Sequence, residues 1–205
     1  SQRCPGLRCW TDGLSRLPTP AAATGSLAAP GAGHLKIGLL SDTHGHFDPA
    51  WRDVLGDCVE IWHAGDIGDL SVAEHLQAWA PLCAVYGNID GPEVRQRFAE
   101  HLHFEREGIW IWMTHILTPQ VRRQLPNRRI SGGLPPAPSP PDRRPDLLVY
   151  GHSHILKAQR DKHGVFHLNP GACGRQGSHQ VKTMLTMELS ERKVSQLKIV
   201  DLGPR

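Results

Sequence analysis

The fold is decided by residues 35–46, which read LKIGLLSDTHGH. The first six residues form a short apolar run, and the run stops at the polar sequence SDTHGH. This pattern is typical of a buried β-strand that runs into a loop. The loop carries Asp42 and His44, so the stretch predicts a strand that delivers potential metal ligands at its carboxyl end.

Two later segments repeat this pattern, namely VEIWHAGD at 59–66 and LCAVYGN at 82–88. Each is an apolar run that ends in glycine followed by a polar residue. Residues 71–80 lie between them and have apolar positions at helical spacing, with Ser71 as the predicted N-cap. Strands that alternate with helices predict a parallel sheet with crossover helices.

The second half of the chain predicts mainly strands in hairpins. Hairpins are expected over 101–115, 157–169 and 183–202, and a further strand begins at 146 and ends in GHSH at 151–154. Because these strands come late and no further crossover follows, they predict a second sheet packed on the first. The expected fold is therefore an α/β sandwich in a single domain.

The segment before this domain and one internal loop differ in composition from the rest of the chain. Residues 1–34 are rich in Pro, Gly, Ala, Ser and Thr, which predicts a disordered N-terminal leader before a domain at 35–205. Residues 126–145 contain seven prolines in twenty positions, which predicts a long exposed Pro/Arg-rich loop.

The location of charge and cysteine narrows the class of protein. The net charge of +3 arises because residues 1–34 carry +2 and residues 118–146 carry +4, whereas the rest carries −3. A basic nucleic-acid-binding face on the ordered surface is therefore not expected, nor is a stable nucleic-acid complex.

No apolar run approaches the ~18 residues of a membrane span. Five cysteines without metal-type spacing favour a reduced, cytoplasmic setting.

Five apolar runs end in residues that can bind metal ions. Ligand sites in open α/β sheets lie just beyond the carboxyl ends of strands, so these residues are expected at one rim. Two metals ~3.5–4 Å apart need a bridging carboxylate, and Asp66 is the natural candidate. The D-x-H and H-x-H spacings place two side chains on one side of an extended segment. The candidate ligands are Asp42, His44, Asp66, Asn88, His115, His152 and His154.

The structural alternative is that each such residue is a capped or solvated polar side chain. That interpretation suits any single motif, but five strand ends in one order favour a shared site. His63 lies within the second strand and is predicted to be a core histidine. The remaining histidines are predicted to be surface or pairing residues: His34, His75, His101, His103, His163 and His167.

The order D-x-H, G-D, G-N, T-H, G-H-x-H resembles the calcineurin-like metallophosphoesterase superfamily, and within it the compact single-domain bacterial and archaeal phosphodiesterase branch. The resemblance covers residues 35–203 and implies a two-sheet β-sandwich flanked by helices in four α/β/β/α layers. It implies one divalent metal held by Asp42, His44, Asp66 and His154, and a second held by Asp66, Asn88, His115 and His152.

The resemblance also implies a hydrolase that cleaves small phosphoesters, with phosphodiesters as the expected class, by a hydroxide that two metals activate. The ligands contain no thiolate, so Mn, Fe, Ni and Zn are all admissible. Asn88 is expected to stabilise phosphoryl charge. His46 is predicted to be either a proton donor or a residue that supports the ligands from behind, or else an exposed turn histidine. Arg175 and His179 follow the turn Asn169-Pro170-Gly171 and could contact phosphate, but flexible surface positions are the favoured expectation for both.

Larger members of this family carry a histidine after the G-N pair, where this chain has Ile89. Two other functions stay open: a metal-free or inert protein-binding scaffold, as in the retromer subunit of this fold, and a phosphomonoesterase. The seven intact ligand positions favour an enzyme over the scaffold. The sequence leaves a homo-oligomer open.

Overall fold

The computed structural model describes residues 34–119, 121 and 144–205, and these residues form two five-stranded sheets. The predicted leader, except for His34, and the predicted loop at 126–145, except for its last two residues, lie outside the described residues. None of the helices in the described part has the length and apolar character that crossing a bilayer requires.

The first sheet contains the parallel strands predicted from the N-terminal half. In spatial order it consists of β10 (Lys193–Pro204), β9 (Val181–Ser190), β1 (Leu35–Leu40), β2 (Glu60–His63) and β3 (Leu82–Ala84). The strands β1, β2 and β3 are parallel, which confirms the prediction.

The second sheet begins with the predicted hairpin over 101–115. In spatial order it consists of β4 (His101–Arg106), β5 (Ile109–Thr114), β6 (Leu147–Val149), β8 (Phe166–Asn169) and β7 (Lys157–Arg160). The strands β5, β6 and β8 are parallel, so this sheet also gathers carboxyl ends at one edge.

The last hairpin lies in the first sheet, so the prediction that the late strands all form the second sheet was wrong. β9 pairs antiparallel with β1, with Ile37 opposite Met187. In this position Leu185, Met187 and Leu189 enter the same buried cluster as Ile37. Burial of these side chains between the sheets explains why β9 adds to the edge of β1.

Within the described ranges, three short helices accompany the first sheet: α1 (Arg52–Leu55) after a single 3-10 turn, α2 (Leu70–Gln77) and α3 (Pro92–Arg97). The N-cap of α2 is Asp69 rather than the predicted Ser71. Asp69 is extended, and its carboxylate accepts a hydrogen bond from the Ser71 amide at 2.8 Å. The carboxylate therefore satisfies one of the first helical N–H groups, which fixes the start of the helix.

Layers of apolar side chains hold the sandwich together. The cluster between the sheets includes Leu39, Ile111 and Leu168. A second cluster joins the helices to the first sheet and includes Trp51 and Leu76. A third lies on the other face of the second sheet, because residues alternate along β5 and β6, and it consists of Trp112, Val121, Leu148, Tyr150 and Val165. The α/β sandwich predicted from the sequence is confirmed.

Candidate metal centre

The loops that follow β1 and β2 run side by side at the rim of the first sheet. The Asp42 amide donates to the Gly65 carbonyl at 2.9 Å, and the His44 amide donates to the Asp66 carbonyl at 3.0 Å. The Gly174 amide then donates to the Asp42 carbonyl at 3.0 Å from the opposite side. These backbone bonds fix the relative positions of the two loop carboxylates, Asp42 and Asp66.

Five of the seven candidate ligands have left-handed backbone conformations. Their φ values are 55° for Asp42, 49° for His44, 55° for Asp66, 66° for His152 and 55° for His154. The prediction that the D-x-H and H-x-H pairs lie on extended segments was therefore wrong. Non-glycine residues seldom adopt this conformation, and such residues concentrate at functional sites.

One group of potential ligands combines Asp42, His44 and His154, whose ligand atoms all lie within 4.8 Å of one another. His154 Nε2 is 3.2 Å from Asp42 Oδ1. His44 Nε2 is 3.4 Å from His154 Nε2. The two imidazoles and one carboxylate thus converge on a single point, as ligands of one cation do.

The second group combines Asp66, His115 and His152 within the same limit of 4.8 Å. His115 Nε2 is 3.2 Å from Asp66 Oδ1. Asp66 also faces the first group, because its Oδ2 is 3.8 Å from His44 Nε2. The two oxygens of Asp66 therefore point to different groups, which is the arrangement expected of a bridging carboxylate.

Asn88, the seventh candidate, is an exposed residue in the turn after β3. The next residue anchors this turn to the centre, because the Ile89 amide donates to Asp66 Oδ1 at 3.1 Å. Arg95 holds the other side of the turn through bonds to the Gly87 and Asn88 carbonyls at 3.0 and 3.2 Å. The Asn88 backbone is thus fixed beside Asp66.

Two buried polar atoms test whether these residues fit a cation. Asp42 Oδ1 and His115 Nε2 are both buried, and neither makes a hydrogen bond within the described part of the chain. The other ring nitrogen of His115 is paired with the Ala64 carbonyl at 2.8 Å, so Nε2 is the nitrogen that faces Asp66 and that would offer its lone pair to a cation once deprotonated. Buried polar groups without hydrogen bonds are costly, and a bound divalent cation would satisfy both atoms. The residues therefore fit such an ion at each group.

Two members of the second group, Asp66 and His115, shift each other's pKa towards the charged form. Burial raises the pKa of Asp66, but His115, the Ile89 amide and His44 together lower it by more, so the pKa of Asp66 lies below the usual range. Burial lowers the pKa of His115, but Asp66 and Asp42 more than offset this, and the net pKa is raised. Without a cation, His115 and Asp66 therefore stabilise each other as an ion pair.

His63 is fully buried, which confirms the prediction that it is a core histidine. Its ring forms hydrogen bonds with both ligand loops. Its Nδ1 accepts from the Gly65 amide at 3.2 Å, so Nε2 carries the proton and donates to Thr43 Oγ1 at 3.0 Å. Thr43 in turn donates to the Ile67 carbonyl at 2.9 Å. Burial lowers the pKa of His63 to about 4, which keeps the ring neutral.

Sequence reasoning missed two residues that support the centre. Asp90 is buried, and its carboxylate accepts hydrogen bonds from the amides of Ile67, Gly68 and Gly87. The Gly87-to-Asp90 spacing is a local turn signal that could have revealed it. His179 lies 3.2 Å from His154 through their Nδ1 atoms, contrary to the expected flexible surface position. No local signal links residues so far apart in sequence.

His46 lies in the turn after β1 with its ring edge-on against Trp51, at a centroid distance of 5.6 Å. It is half-buried rather than an exposed turn residue. Burial lowers the pKa of His46, and the positive charges of Arg175 and Lys182 lower it further. Arg175 itself is exposed, as expected.

Comparison with known proteins identifies relatives over most of the chain. The family model for the calcineurin-like phosphoesterase superfamily domain matches residues 35–192. The phosphodiesterase YfcE of Escherichia coli (strain K12) is 29% identical over 156 residues, which cover 67% of this chain and 79% of that protein.

Solved structures share the fold. One described as a novel archaeal phosphodiesterase has a TM-score of 0.61 at 22% identity, covering 82% of this chain and 99% of that chain. Wild-type Vps29 from Entamoeba histolytica, complexed with zinc, has a TM-score of 0.59 at 16% identity, covering 82% and 98%. At these identities the likeness shows the fold alone.

Proposed function

Because this chain belongs to the calcineurin-like phosphoesterase superfamily, we propose that it is a metal-dependent hydrolase of phosphodiesters. The observation that carries the proposal is the pair of ligand groups on either side of Asp66. The first cation would be held by Asp42, His44, Asp66 and His154. The second would be held by Asp66, Asn88, His115 and His152. The donor set admits Mn, Fe, Ni or Zn.

When bound, two divalent cations supply a water of lowered pKa and positive charge for the phosphoryl oxygens. The chain's own residues orient this chemistry. Asp66 and Asp42 are fixed by the backbone bonds of their loops, and His115 is fixed by the Ala64 carbonyl. The Asn88 amide is exposed beside the centre, where it can donate a hydrogen bond to a phosphoryl oxygen.

The preference for diesters is proposed from the residues near the centre that could protonate a leaving group. Ile89 occupies the position after Asn88 and is 45% exposed, so an apolar side chain without a proton to donate faces solvent there. His46 is the candidate that would assist departure, and its lowered pKa favours a neutral, hydrogen-bonding role over that of a strong acid. The name of the E. coli relative supports phosphodiesters as the substrate class.

The scaffold and phosphomonoesterase alternatives make different predictions about metal and substrate. A metal-free scaffold has no use for two convergent ligand groups, and both groups contain three competent side chains here. A phosphomonoesterase would use the same centre but would cleave aryl phosphate monoesters faster than the matched diesters.

The test compares the wild type with Asp66→Asn, His154→Ala and a control, Asp53→Asn, on an exposed helix position. Elemental analysis and turnover of a bis-aryl phosphodiester and the matched aryl monoester are measured with saturating Mn²⁺. Asp66→Asn should lose activity and hold well below two metals per chain, and His154→Ala should lose mainly one. Full two-metal occupancy in Asp66→Asn would refute the bridging role, and faster monoester turnover in the wild type would refute the diester preference.

A further inference from the structure

We propose that His179 is a positioning residue that fixes the ring and the tautomer of His154, and thereby sets the cation affinity of one of the two groups. The inference rests on the proposed metal centre. The two imidazoles meet edge to face, with ring centroids 5.1 Å apart at 76° and their Nδ1 atoms 3.2 Å apart.

The hydrogen bonds define one consistent arrangement of protons. His179 Nε2 lies 3.0 Å from the Gly174 carbonyl, which can only accept, so Nε2 carries the proton. In a neutral ring Nδ1 of His179 is then an acceptor, and the proton between the two rings belongs to His154 Nδ1. The His154 Nε2 lone pair is therefore exposed towards Asp42 Oδ1 at 3.2 Å. A cation requires this lone pair.

The loop at 174–180 is built to hold His179 in this place. The amide of Gly174 donates to the Asp42 carbonyl at 3.0 Å, so the loop is bonded to the backbone of a candidate ligand. Gly177 has a φ of 115°, and a Cβ at this position would overlap the His154 ring. Arg205 donates from its guanidinium to the Gly177 carbonyl and from its amide to the Gln180 carbonyl.

The second group is oriented differently, and this difference makes the inference testable. His115 is fixed by a backbone carbonyl, Ala64, within the loop that follows β2. His179 contacts His154, a member of the first group, so its removal should weaken the cation held by Asp42, His44 and His154 and spare the other.

The experiment measures Mn²⁺ binding to the metal-stripped chain by calorimetry and repeats it with Co²⁺, whose absorption spectrum reports the geometry of each site. The variants are His179→Ala, His179→Asn and the control His34→Ala, a surface histidine whose side chain is 63% exposed. His179→Ala should weaken one site about 10–100-fold and change one set of Co²⁺ bands. His179→Asn should recover part of the affinity, because its amide oxygen can accept from His154 Nδ1.

Unchanged affinity at both sites in His179→Ala would overturn the inference and leave the proposed function intact. Equal loss at both sites that Asn does not restore would also overturn it, because it would indicate a general structural role. If the wild type itself bound no cation, the proposed function would fall, and this inference with it. If His179→Ala does not fold, His179→Asn is compared with the wild type instead. The inference then predicts that His179→Asn loses cation affinity at one site only, and a loss at both sites or at neither would overturn it.

Discussion

Asp90 provides a sharp test of how the ligand loops are held. Its buried carboxylate joins the turn after β2 to the turn after β3, which carry Asp66 and Asn88. Oδ2 accepts from the Gly87 amide at 2.7 Å and from the Ile67 amide at 3.2 Å, and Oδ1 accepts from the Gly68 amide at 2.6 Å.

The cost of Asp90→Ala follows from which of these amides can reach water. Gly68 is exposed, so water can replace its lost partner, whereas Ile67 and Gly87 are buried. An unsatisfied buried donor costs about 1–3 kcal/mol, so two of them predict a loss of about 4 kcal/mol in the free energy of unfolding. Asp90→Asn keeps an oxygen for both buried amides and loses only the acceptor at Gly68, which predicts a loss of about 1–2 kcal/mol.

Equilibrium urea unfolding of the metal-free protein in chelator measures these differences without a contribution from bound cations. The exposed Asp53→Asn serves as the control and should stay within about 0.5 kcal/mol of the wild type. If Asp90→Ala cost less than about 1 kcal/mol, or if Asn were as harmful as Ala, the accounting of the three amides would be refuted.

Two further predictions concern pH and the leaving group. Burial lowers the folded-state pKa of His63 from its usual ~6.5 to about 4, so the unfolded chain binds the proton first as the pH falls. The stability of the metal-free protein should therefore fall by about 3 kcal/mol as the pH drops from ~6.5 to ~4. Urea unfolding should show that His63→Gln makes the stability less dependent on pH, and an unchanged slope would argue against this role of His63. Ile89 cannot donate a proton, and a positioned acid typically contributes ~10²–10⁴-fold, so the rates across aryl and alkyl phosphodiesters should depend steeply on leaving-group pKa. The variant Ile89→His should reduce this slope. A flat slope in the wild type, with chemistry limiting the rate, would point to an acid elsewhere.

The sequence predicted the parallel strands and the order of the ligand motifs because both signals are local. An apolar run that stops at Asp42 or Gly65 identifies a buried strand and its carboxyl end in one pattern. The structure then brings six of the seven predicted ligands into two adjacent groups, with Asn88 in the neighbouring turn.

The features that were not predicted depend on contacts between distant parts of the chain. The placement of β9 beside β1 is decided by which side chains fill the space between the sheets, and the alternating pattern of β9 suits either sheet. The support of His154 by His179 depends on a loop that returns to the site after two further strands. The left-handed ligands were missed because Asp and His carry no strong sequence signal for positive φ.

These left-handed residues explain why the loops need so many backbone bonds. Each non-glycine residue in this conformation costs roughly 1 kcal/mol, so five of them cost several kcal/mol before any charge is buried. The amides of Asp42, His44 and Gly45 donate to the carbonyls of the loop after β2 at 2.8–3.0 Å, and Asp90 accepts from the amides of that same loop. Because the loops are held by their backbones, the ligand side chains converge without relying on a cation to gather them. The strain is thus borne by the protein scaffold, and the binding energy of a cation is left to offset the desolvation of its ligands.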